Sequence, residues 1–219
     1  MKMVVYLITC GSKVDGVCID QSNLTLSTSC HEGILRLKDS WKSSSVRTKI
    51  NKSKKFLLYI SDTQVAKDSC DLFCDDLFDK HEDDNVEIHQ ETCLRDINFG
   101  LWKGLSWQDI YTKWPEDLNN FSKDWHTNKA THGESFGDVI KRAQPFLKQL
   151  EEHMIKKETV FVFTHPSTIR ALLCCTLDLP VERAYSLRVD YQHLFVLDFD
   201  KVNKGFSTIC CNSPVFVAL

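Results

Sequence analysis

The sequence predicts an α/β protein, and three features of the chain support that fold class. Residues 159–173 have the pattern of a strand, a turn and a helix start, because a β-rich apolar run stops at His165 and an apolar helical run follows. Residues 4–8 and 56–60 are short continuous apolar runs, which are typical of strands buried on both faces. Residues 135–154 carry the apolar spacing of a long amphipathic helix. Open α/β sheets bind ligands at the carboxyl ends of their strands, which is where His165 would lie.

Length and composition fit one domain over residues 1–219. Of these residues 42% are apolar, which is enough for a full core. The net charge of −3 gives no global attraction to nucleic acid or an anionic membrane, and no segment approaches the length of a membrane span. Ten cysteines are spread along the chain without a Cys-x-x-Cys pair, which favours reduced thiols and a cytoplasmic location. The histidines lack metal-ligand spacing, so we expect neither a metal nor a cofactor.

The first two predicted strands are each followed by a recognisable connection. Residues 4–8 lead into a polar loop bracketed by Gly11 and Gly16, where glycine permits tight turns and close approach of the backbone to a ligand. Residues 56–60 lead into a helix that we predict over about 61–78.

Two oppositely charged segments flank the second strand. Residues 36–55 contain eight basic residues against one acid, and residues 68–91 contain ten acids against one lysine. The simpler interpretation is a solvated helix face with exposed loops, and the alternative is that residues 36–55 dock on an acidic protein partner. Residues 86–89, inside the acidic segment, form a weak third predicted strand.

The clearest predicted helix begins at Ser135. Ser135-x-x-Asp138 has the pattern of a capping box, and apolar residues then recur at spacings of three and four. Pro145 lies inside this helix and should kink it or break it locally. Near the end of the sequence, residues 194–199 and 215–219 are predicted as closing strands, in a hairpin at the sheet edge.

Three stretches taken together resemble the histidine phosphatase superfamily, in its phosphoglycerate mutase and α-ribazole phosphatase branch. They are Leu94-Arg-Asp-Ile-Asn-Phe-Gly-Leu-Trp-Lys-Gly104, Gly133-Glu-Ser135 with its following helix, and Thr164-His-Pro-Ser-Thr-Ile-Arg170. Their order and spacing match the family over nearly the whole chain. The resemblance implies a phosphoglycerate mutase-like three-layer sandwich, with helices on both faces of a mostly parallel sheet. It also implies that residues 94–132, which contain four tryptophans, form an insert similar to the family's substrate lid.

The resemblance further implies a pocket made of two histidines, two arginines and an acid. In such enzymes the first histidine, in Arg-His-Gly after the first strand, accepts the phosphoryl group. The second histidine and the arginines hold the phosphate, and the acid protonates the leaving oxygen. His165 matches the second histidine, and Asp96 falls at the acid. The neighbouring residues that would line such a pocket are Gly11, Glu134, Ser135, Pro166 and Ser167, of which Glu134 and Ser135 would also cap the following helix.

Three other matched positions depart from the family pattern. Thr9 and Cys10 stand where the family has its first arginine and its phosphate-accepting histidine, and Val65 stands at the second arginine. Neutral side chains cannot replace the charge of two guanidinium groups. The cations that could substitute, each of which is otherwise a surface or structural residue, are Lys13, Lys67, Lys103, Arg142 and, with less reason, Arg170.

Two of the candidate site residues each have two interpretations. A thiolate at Cys10 could be activated by His165 or by a helix N-terminus and act as a nucleophile. Alternatively, Cys10 packs as a small hydrophobic residue at the strand end. Asp96 is either a pocket acid or a residue that caps a turn.

The sequence therefore leaves three functions open. The one we favour is a pseudophosphatase that binds a phosphorylated or anionic small molecule, or a protein partner, without ordinary phosphatase chemistry. The second is an active hydrolase of altered chemistry, with Cys10 as nucleophile or with Asp96 and His165 as an acid/base pair. The third is a subunit that docks on a partner through residues 36–55.

Overall fold

The structure is a computed structural model of the chain. It describes residues 4–11, 26–44, 55–75, 77, 85–156, 158–200, 202 and 205–216. Lys13, Gly16, residues 45–54 of the basic segment and residues 217–219 lie outside the described residues.

The described strands form a mostly parallel sheet. They are β1 (Val4–Thr9), β2 (Phe56–Ser61), β3 (Val86–Glu91), β4 (Thr159–Thr164), β5 (Leu194–Asp200) and β6 (Gly205–Ser213). Their order across the sheet is β3-β2-β4-β1-β5-β6. The first four are mutually parallel, and β5 and β6 form an antiparallel hairpin beside β1. Five of the strands predicted from the sequence, including the weak one at 86–89, are confirmed to within two residues.

The described α-helices cover both faces of the sheet. They are α1 (Thr28–Ser43), α2 (Gln64–Cys74), α3 (Trp107–Lys113), α4 (Pro115–Lys123), α5 (Phe136–Ile155) and α6 (Pro166–Thr176). Short 3-10 helices occur at Thr92–Leu94, Gly100–Trp102 and Val181–Ser186. Side chains of α5 and α6 share one hydrophobic core with the sheet, and side chains of α1 and α2 share the other.

Alternation along β1 shows how the two cores are separated. Val5 and Leu7 point into the core with α5 and α6, whereas Tyr6 and Ile8 point into the core with α1 and α2. All four side chains are completely buried. A strand covered on both faces has no polar side, which explains its continuous apolar sequence. The predicted three-layer α/β architecture is confirmed.

Three boundary predictions were wrong. The helix after β2 ends at Cys74 rather than near residue 78, because Asp75 leaves the helical conformation. The last strand is Gly205–Ser213, and residues 214–216 lie beyond it. This edge strand is partly exposed and does not need a long apolar run, so its sequence gave a weak signal. A break at Pro145, the third of these, is absent, since α5 runs unbroken from 136 to 155, and the alternative of a kink there stays a prediction.

The insert of residues 94–132 carries α3 and α4 and has a small hydrophobic core of its own. Trp102, Ile110 and Ala130 are buried there, with half-buried Phe99 and Phe121 packed around them. Trp102 also donates a hydrogen bond from its indole to the Thr131 hydroxyl. Trp102 therefore packs the insert. Whether the insert covers a ligand site stays a prediction.

Candidate functional site

The predicted site residues meet at the carboxyl ends of three neighbouring strands. Cys10 follows β1, His165 follows β4, and Ser61 ends β2. Because β1 and β2 both pair with β4 in parallel, their carboxyl ends lie side by side. The backbone N–H of Cys10 donates to the carbonyl of Thr164 at 2.6 Å. The predicted neighbourhood of residues 10 and 165 is thus present.

His165 is completely buried at the N-terminus of α6. Its Nε2 lies 3.0 Å from the hydroxyl of Thr63 and 3.2 Å from the hydroxyl of Ser61. Thr63 occupies the N-cap position of α2 but makes no side-chain capping bond there, so its hydroxyl serves the histidine instead. Two internal hydroxyl groups therefore engage the nitrogen of a histidine whose family counterpart holds phosphate.

Cys10 lies inside the core beneath α1 and α2. Its side chain is fully buried, and burial raises the pKa of the thiol far above its ordinary range. A hydrogen bond with Ser69 lowers that pKa and the nearby Cys30 raises it, but desolvation is the dominant cause. A protonated thiol is a poor nucleophile. The surroundings of Cys10 favour the packing interpretation over the nucleophile.

Thr9, which the resemblance matches to the family's first arginine, is fixed to a turn that precedes β5. Its hydroxyl donates to the carbonyl of Asp190 at 2.7 Å and accepts from the backbone N–H of His193 at 2.8 Å. The backbone N–H of Gln192 donates to the Thr9 carbonyl at 3.0 Å. The Gln192 side chain donates to the carbonyl of Gly11. The backbone of Gly11 has a positive φ of 94°. We call this feature the 190–193 turn, and it was not predicted from the sequence.

Val65, at the position of the family's second arginine, is also completely buried. It lies in the first turn of α2. Val65 and Thr9, the two residues matched to the family's arginines from the sequence, are thus neutral and buried, and the match itself stays a prediction.

Asp96 lies against the first turn of α6. Its Oδ1 accepts a short hydrogen bond from the Ser167 hydroxyl and a bond of 3.1 Å from the backbone N–H of Ile97. The same N–H also lies 2.9 Å from the Ser167 oxygen. Asp96 thus shapes its own turn and at the same time holds a carboxylate next to the helix that begins at Pro166. These contacts support the turn-capping interpretation, and a role of Asp96 as a pocket acid stays a prediction.

Glu134 and Arg142 form a brace behind this acid. The guanidinium of Arg142 contacts both carboxylate oxygens of Glu134, with Nε 3.0 Å from Oε1. It also donates to the carbonyl of Cys93 at 2.7 Å and to the carbonyl of Asp96 at 2.9 Å. Glu134 accepts a further bond from the backbone N–H of Asn98. Arg142 is therefore committed to holding the loop, and the prediction that it could clamp a phosphate is not supported by its contacts.

Ser135 performs the structural task predicted for it. Its hydroxyl accepts from the backbone N–H of Asp138, and the Asp138 carboxylate accepts from the backbone N–H of Ser135. This reciprocal pair is the capping box at the start of α5. A ligand-lining role for Gly11, Glu134, Ser135, Pro166 and Ser167 stays a prediction.

Another arginine at the strand ends was not singled out from the sequence. Arg95 makes a two-pronged ion pair with Asp62, just after β2, with Nε 2.7 Å from Oδ1. The hydrogen bond from Arg95 lowers the pKa of the Asp62 carboxyl. Among the lysines proposed as substitutes, Lys67 lies close enough to lower that pKa as well. Arg95 thus pairs with Asp62, and Lys67 acts on the same carboxylate through its charge.

The basic and acidic segments contact each other within the described part of the chain. Lys38 lies 3.5 Å from Asp75, and Lys55 lies 2.5 Å from Glu87. These ion pairs within the chain favour the simpler interpretation, in which the charges form a solvated surface. Docking of residues 36–55 on an acidic partner stays untested.

The described residues contain neither a membrane-spanning helix nor a metal-binding cluster. No helix in that part of the chain has the length and apolar character needed to cross a membrane. No three histidine, cysteine or acidic side chains within it are grouped so that they could hold a metal ion.

The fold places the chain among α/β proteins with a mostly parallel sheet. Its structure is similar to that of the α-ribazole phosphatase from Shigella flexneri, with a TM-score of 0.81 and 20% identity over 99% of this chain and 100% of the other. It is also similar to a putative α-ribazole-5'-P phosphatase from Escherichia coli, with a TM-score of 0.79 and 19% identity over 99% of both chains. Such low identities establish the fold alone.

The sequence profile of the histidine phosphatase superfamily (branch 1) matches residues 19–211, so the chain belongs to that superfamily. The matched range begins after β1 and leaves out Thr9, Cys10 and Gly11. Phosphoserine phosphatase 1 from Hydrogenobacter thermophilus is 26% identical over 53% of this chain and 55% of its own length. Fructose-2,6-bisphosphatase from Saccharomyces cerevisiae is 25% identical over 57% of this chain and 27% of its own length. The chain thus matches about half of the first relative and about a quarter of the second.

Proposed function

We propose that this protein is a pseudophosphatase, which binds a phosphorylated or other anionic ligand, or a protein partner, without ordinary phosphatase chemistry. The observation that carries this proposal is the residue at the phosphate-acceptor position. It is Cys10, a fully buried thiol whose pKa is raised by burial. A cysteine in this state cannot replace the nucleophilic histidine of the superfamily.

The loss of the phosphate clamp supports the same conclusion. A hydrogen bond from a guanidinium to an anion contributes about 1.5 to 3 kcal/mol. Thr9 and Val65 at the two arginine positions therefore remove roughly 3 to 6 kcal/mol, or about two to four decades in rate or affinity. In addition, Ser61 and Thr63 hydroxyl groups contact the histidine that would face the phosphate.

A direct assay of hydrolysis tests the proposal. Wild-type protein and His165→Ala, purified identically, are incubated with p-nitrophenyl phosphate, phosphoserine and fructose 2,6-bisphosphate, and released phosphate is measured. We expect equal release from the two proteins, because any hydrolysis then comes from contaminants. Asp96→Asn is a second control in case the histidine variant does not fold, as judged by circular dichroism. Release by the wild type that exceeds both variants would refute the proposal.

The same assay identifies the alternative, an active hydrolase of altered chemistry. If wild-type hydrolysis is lost in Cys10→Ser, the thiol is a nucleophile in spite of its burial. If it is kept in Cys10→Ser but lost in Asp96→Asn and His165→Ala, those two residues act as an acid/base pair. The observation that keeps this alternative open is the retained Asp96 carboxylate beside α6.

Location and partners belong to the proposal as well. The described cysteines are all free thiols, and we place the protein in the cytoplasm, where thiols stay reduced. Arg36 and Lys42 are both exposed on α1. Reversing their charges would reduce docking through residues 36–55. An unchanged interaction with a captured partner would dismiss that surface.

A further inference from the structure

The insert carries a cavity of about 500 Å³ between its two helices, α3 and α4. The described residues that line the cavity are Tyr111 of α3 and Pro115, Glu116, Leu118, Asn119 and Ser122 of α4. None of them belongs to the strand-end site, and most of those on α4 recur at spacings of three and four, which places them on one face of the helix. Small-molecule sites have volumes of roughly 300 to 1,000 Å³ and combine apolar walls with a few polar groups. The cavity is therefore large enough for a small organic ligand.

The polar side chains of the cavity wall are not committed to other parts of the described chain. Glu116, Asn119 and Ser122 contribute a carboxylate, an amide and a hydroxyl, and no described residue forms a hydrogen bond or an ion pair with any of these side chains. By contrast, Asp109 and Asp117, on the same two helices, each accept a hydrogen bond from a hydroxyl group. Three polar groups that converge on one cavity can thus all bind a ligand.

The wall of the cavity is complementary to a positive charge. Glu116 is the charged residue among those that line it. Lys113, three residues earlier in the chain, holds its ammonium 5.9 Å from the centre of the Trp114 ring and does not pair with that carboxylate. Tyr111 is 60% exposed, so its ring is accessible to a ligand, and the face of an aromatic ring attracts cations. An uncompensated carboxylate and an accessible aromatic ring therefore both favour a cationic ligand.

We propose that this cavity binds a small amphipathic organic cation, an alkyl or aryl ammonium compound. The ammonium group donates to the Glu116 carboxylate and lies against the ring of Tyr111. The apolar body of the ligand packs on Pro115 and Leu118, and the neighbouring amide and hydroxyl groups orient any polar substituent that it carries. This cation site is separate from the strand-end site and does not depend on the function proposed there.

Three probes that differ in charge but share a phenyl ring on a two-carbon arm test the cation site. They are phenethylammonium, which is positive, 2-phenylethanol, which is neutral, and phenylacetate, which is negative. Each is titrated into nitrogen-15-labelled protein at constant ionic strength set with sodium chloride, and the amide chemical shifts are followed. The side-chain amide of Asn119 and the backbone amides of residues 111–122 report binding in the cavity itself.

We expect the wild type to bind the probes in the order of their charge. Phenethylammonium should give saturable shifts that are largest at residues 111–122. Because the carboxylate is exposed and an exposed ion pair is weak, 2-phenylethanol should bind about threefold more weakly, and phenylacetate more weakly still. Equal affinities for the three probes, shifts that are largest elsewhere in the chain, or no saturable binding of phenethylammonium would overturn the cation site.

Variants of the two cation-binding residues sharpen the test. Glu116→Gln removes the charge and keeps the shape, so it should bind phenethylammonium and 2-phenylethanol alike. Glu116→Lys should lose phenethylammonium binding and bind phenylacetate about threefold more tightly than the wild type does. Tyr111→Ala should weaken phenethylammonium binding about threefold. The matched control is Glu152→Lys, which makes the same charge reversal at an exposed glutamate of α5 and should bind all three probes like the wild type.

Both substituted positions are exposed, so the variants should fold, and the unchanged remainder of each spectrum checks this. If the Glu116 variants keep the wild-type order of affinities, the carboxylate does not select the ligand and the cation site is refuted. The two proposals can fail separately. Phosphate release above the His165→Ala background would refute the pseudophosphatase assignment and leave the cation site in place. Failure of the titrations would remove the cation site and leave the pseudophosphatase assignment in place.

Discussion

The two halves of the strand-end edge differ in the surroundings of their side chains. At the end of β1, Thr9 and Cys10 are sealed by the 190–193 turn and by the core under α1 and α2. At the end of β4, His165 and Asp96 are held by hydrogen bonds, and Arg170 keeps a desolvated charge. One half is therefore part of the core, whereas the other presents polar groups that could meet a ligand.

The largest expected effect on stability comes from introducing the family's arginine and histidine at positions 9 and 10, at the end of β1. Thr9→Arg with Cys10→His places a cation and a larger ring at two completely buried positions. We expect this double variant to lose at least about 3 kcal/mol of unfolding free energy, since overpacking and an unpaired buried charge add together. Urea unfolding measures the loss.

The control for this variant is Cys211→His, at an exposed cysteine on β6. It should change stability by less than about 0.5 kcal/mol. A double variant that is as stable as the wild type, and that gains hydrolysis of p-nitrophenyl phosphate, would show that the β1 half is open.

The next effect tests the brace behind Asp96. Arg142→Ala removes the partner of Glu134 and two bonds to loop carbonyls, and it should cost about 2 to 4 kcal/mol. Arg188→Ala is a matched control, because Arg188 pairs with Asp190 but its side chain is 81% exposed. Its loss should stay below about 1 kcal/mol. Similar losses in the two variants would mean that the brace has no special role.

A smaller effect is expected from Ser167→Ala. The change removes the hydroxyl that donates to Asp96 and accepts from the N–H of Ile97, at a cost of about 1 to 2 kcal/mol. Hydrogen exchange of the Ile97 amide should become faster. Ser122→Ala, at an exposed serine of α4, should leave that amide unchanged. Unaltered exchange in Ser167→Ala would show that Asp96 is held by other contacts.

The smallest effect concerns a group that belongs to neither half. Burial raises the pKa of Asp138, but hydrogen bonds from Ser135 and Lys129 outweigh it and lower the pKa from 3.8 to about 2. A lowered folded-state pKa means that this stabilisation is complete above the unfolded value and is lost as the pH falls toward about 2. Between about pH 5 and pH 2, the free energy of unfolding should therefore fall by about 1 kcal/mol less in Asp138→Asn than in the wild type. Parallel stability curves for the two proteins would contradict this.

The sequence predicted the layers well because burial on both faces leaves an unmistakable pattern. The strands at residues 4–9 and 159–164 are apolar throughout, and the capping box at Ser135 marks the start of α5. The bounds of α1 were not predicted, because its buried residues, such as Ile34 and Trp41, alternate with the charged residues of the basic segment. β6 was misplaced because an edge strand has a weaker apolar pattern.

For the candidate site, the sequence predicted which residues would meet but not their partners. Parallel strands put Cys10 and His165 at the same edge, and that follows from topology. The bond between Thr9 and Asp190 joins residues 181 positions apart, and no local pattern encodes such a contact. The burial of Cys10 also could not be read from the sequence, because free cysteine occurs both in cores and in reactive sites.

The central position of β1 has a consequence for how the molecule acquires its structure. β1 is flanked by β4 and β5, which come from residues 159–164 and 194–200. β1 must therefore wait until residues 159–164 and 194–200 have been translated before its neighbours exist. Nonlocal pairing of this kind slows folding and prolongs exposure of the apolar segment to aggregation. We expect newly synthesised chains to depend on chaperones until residue 200 has left the ribosome.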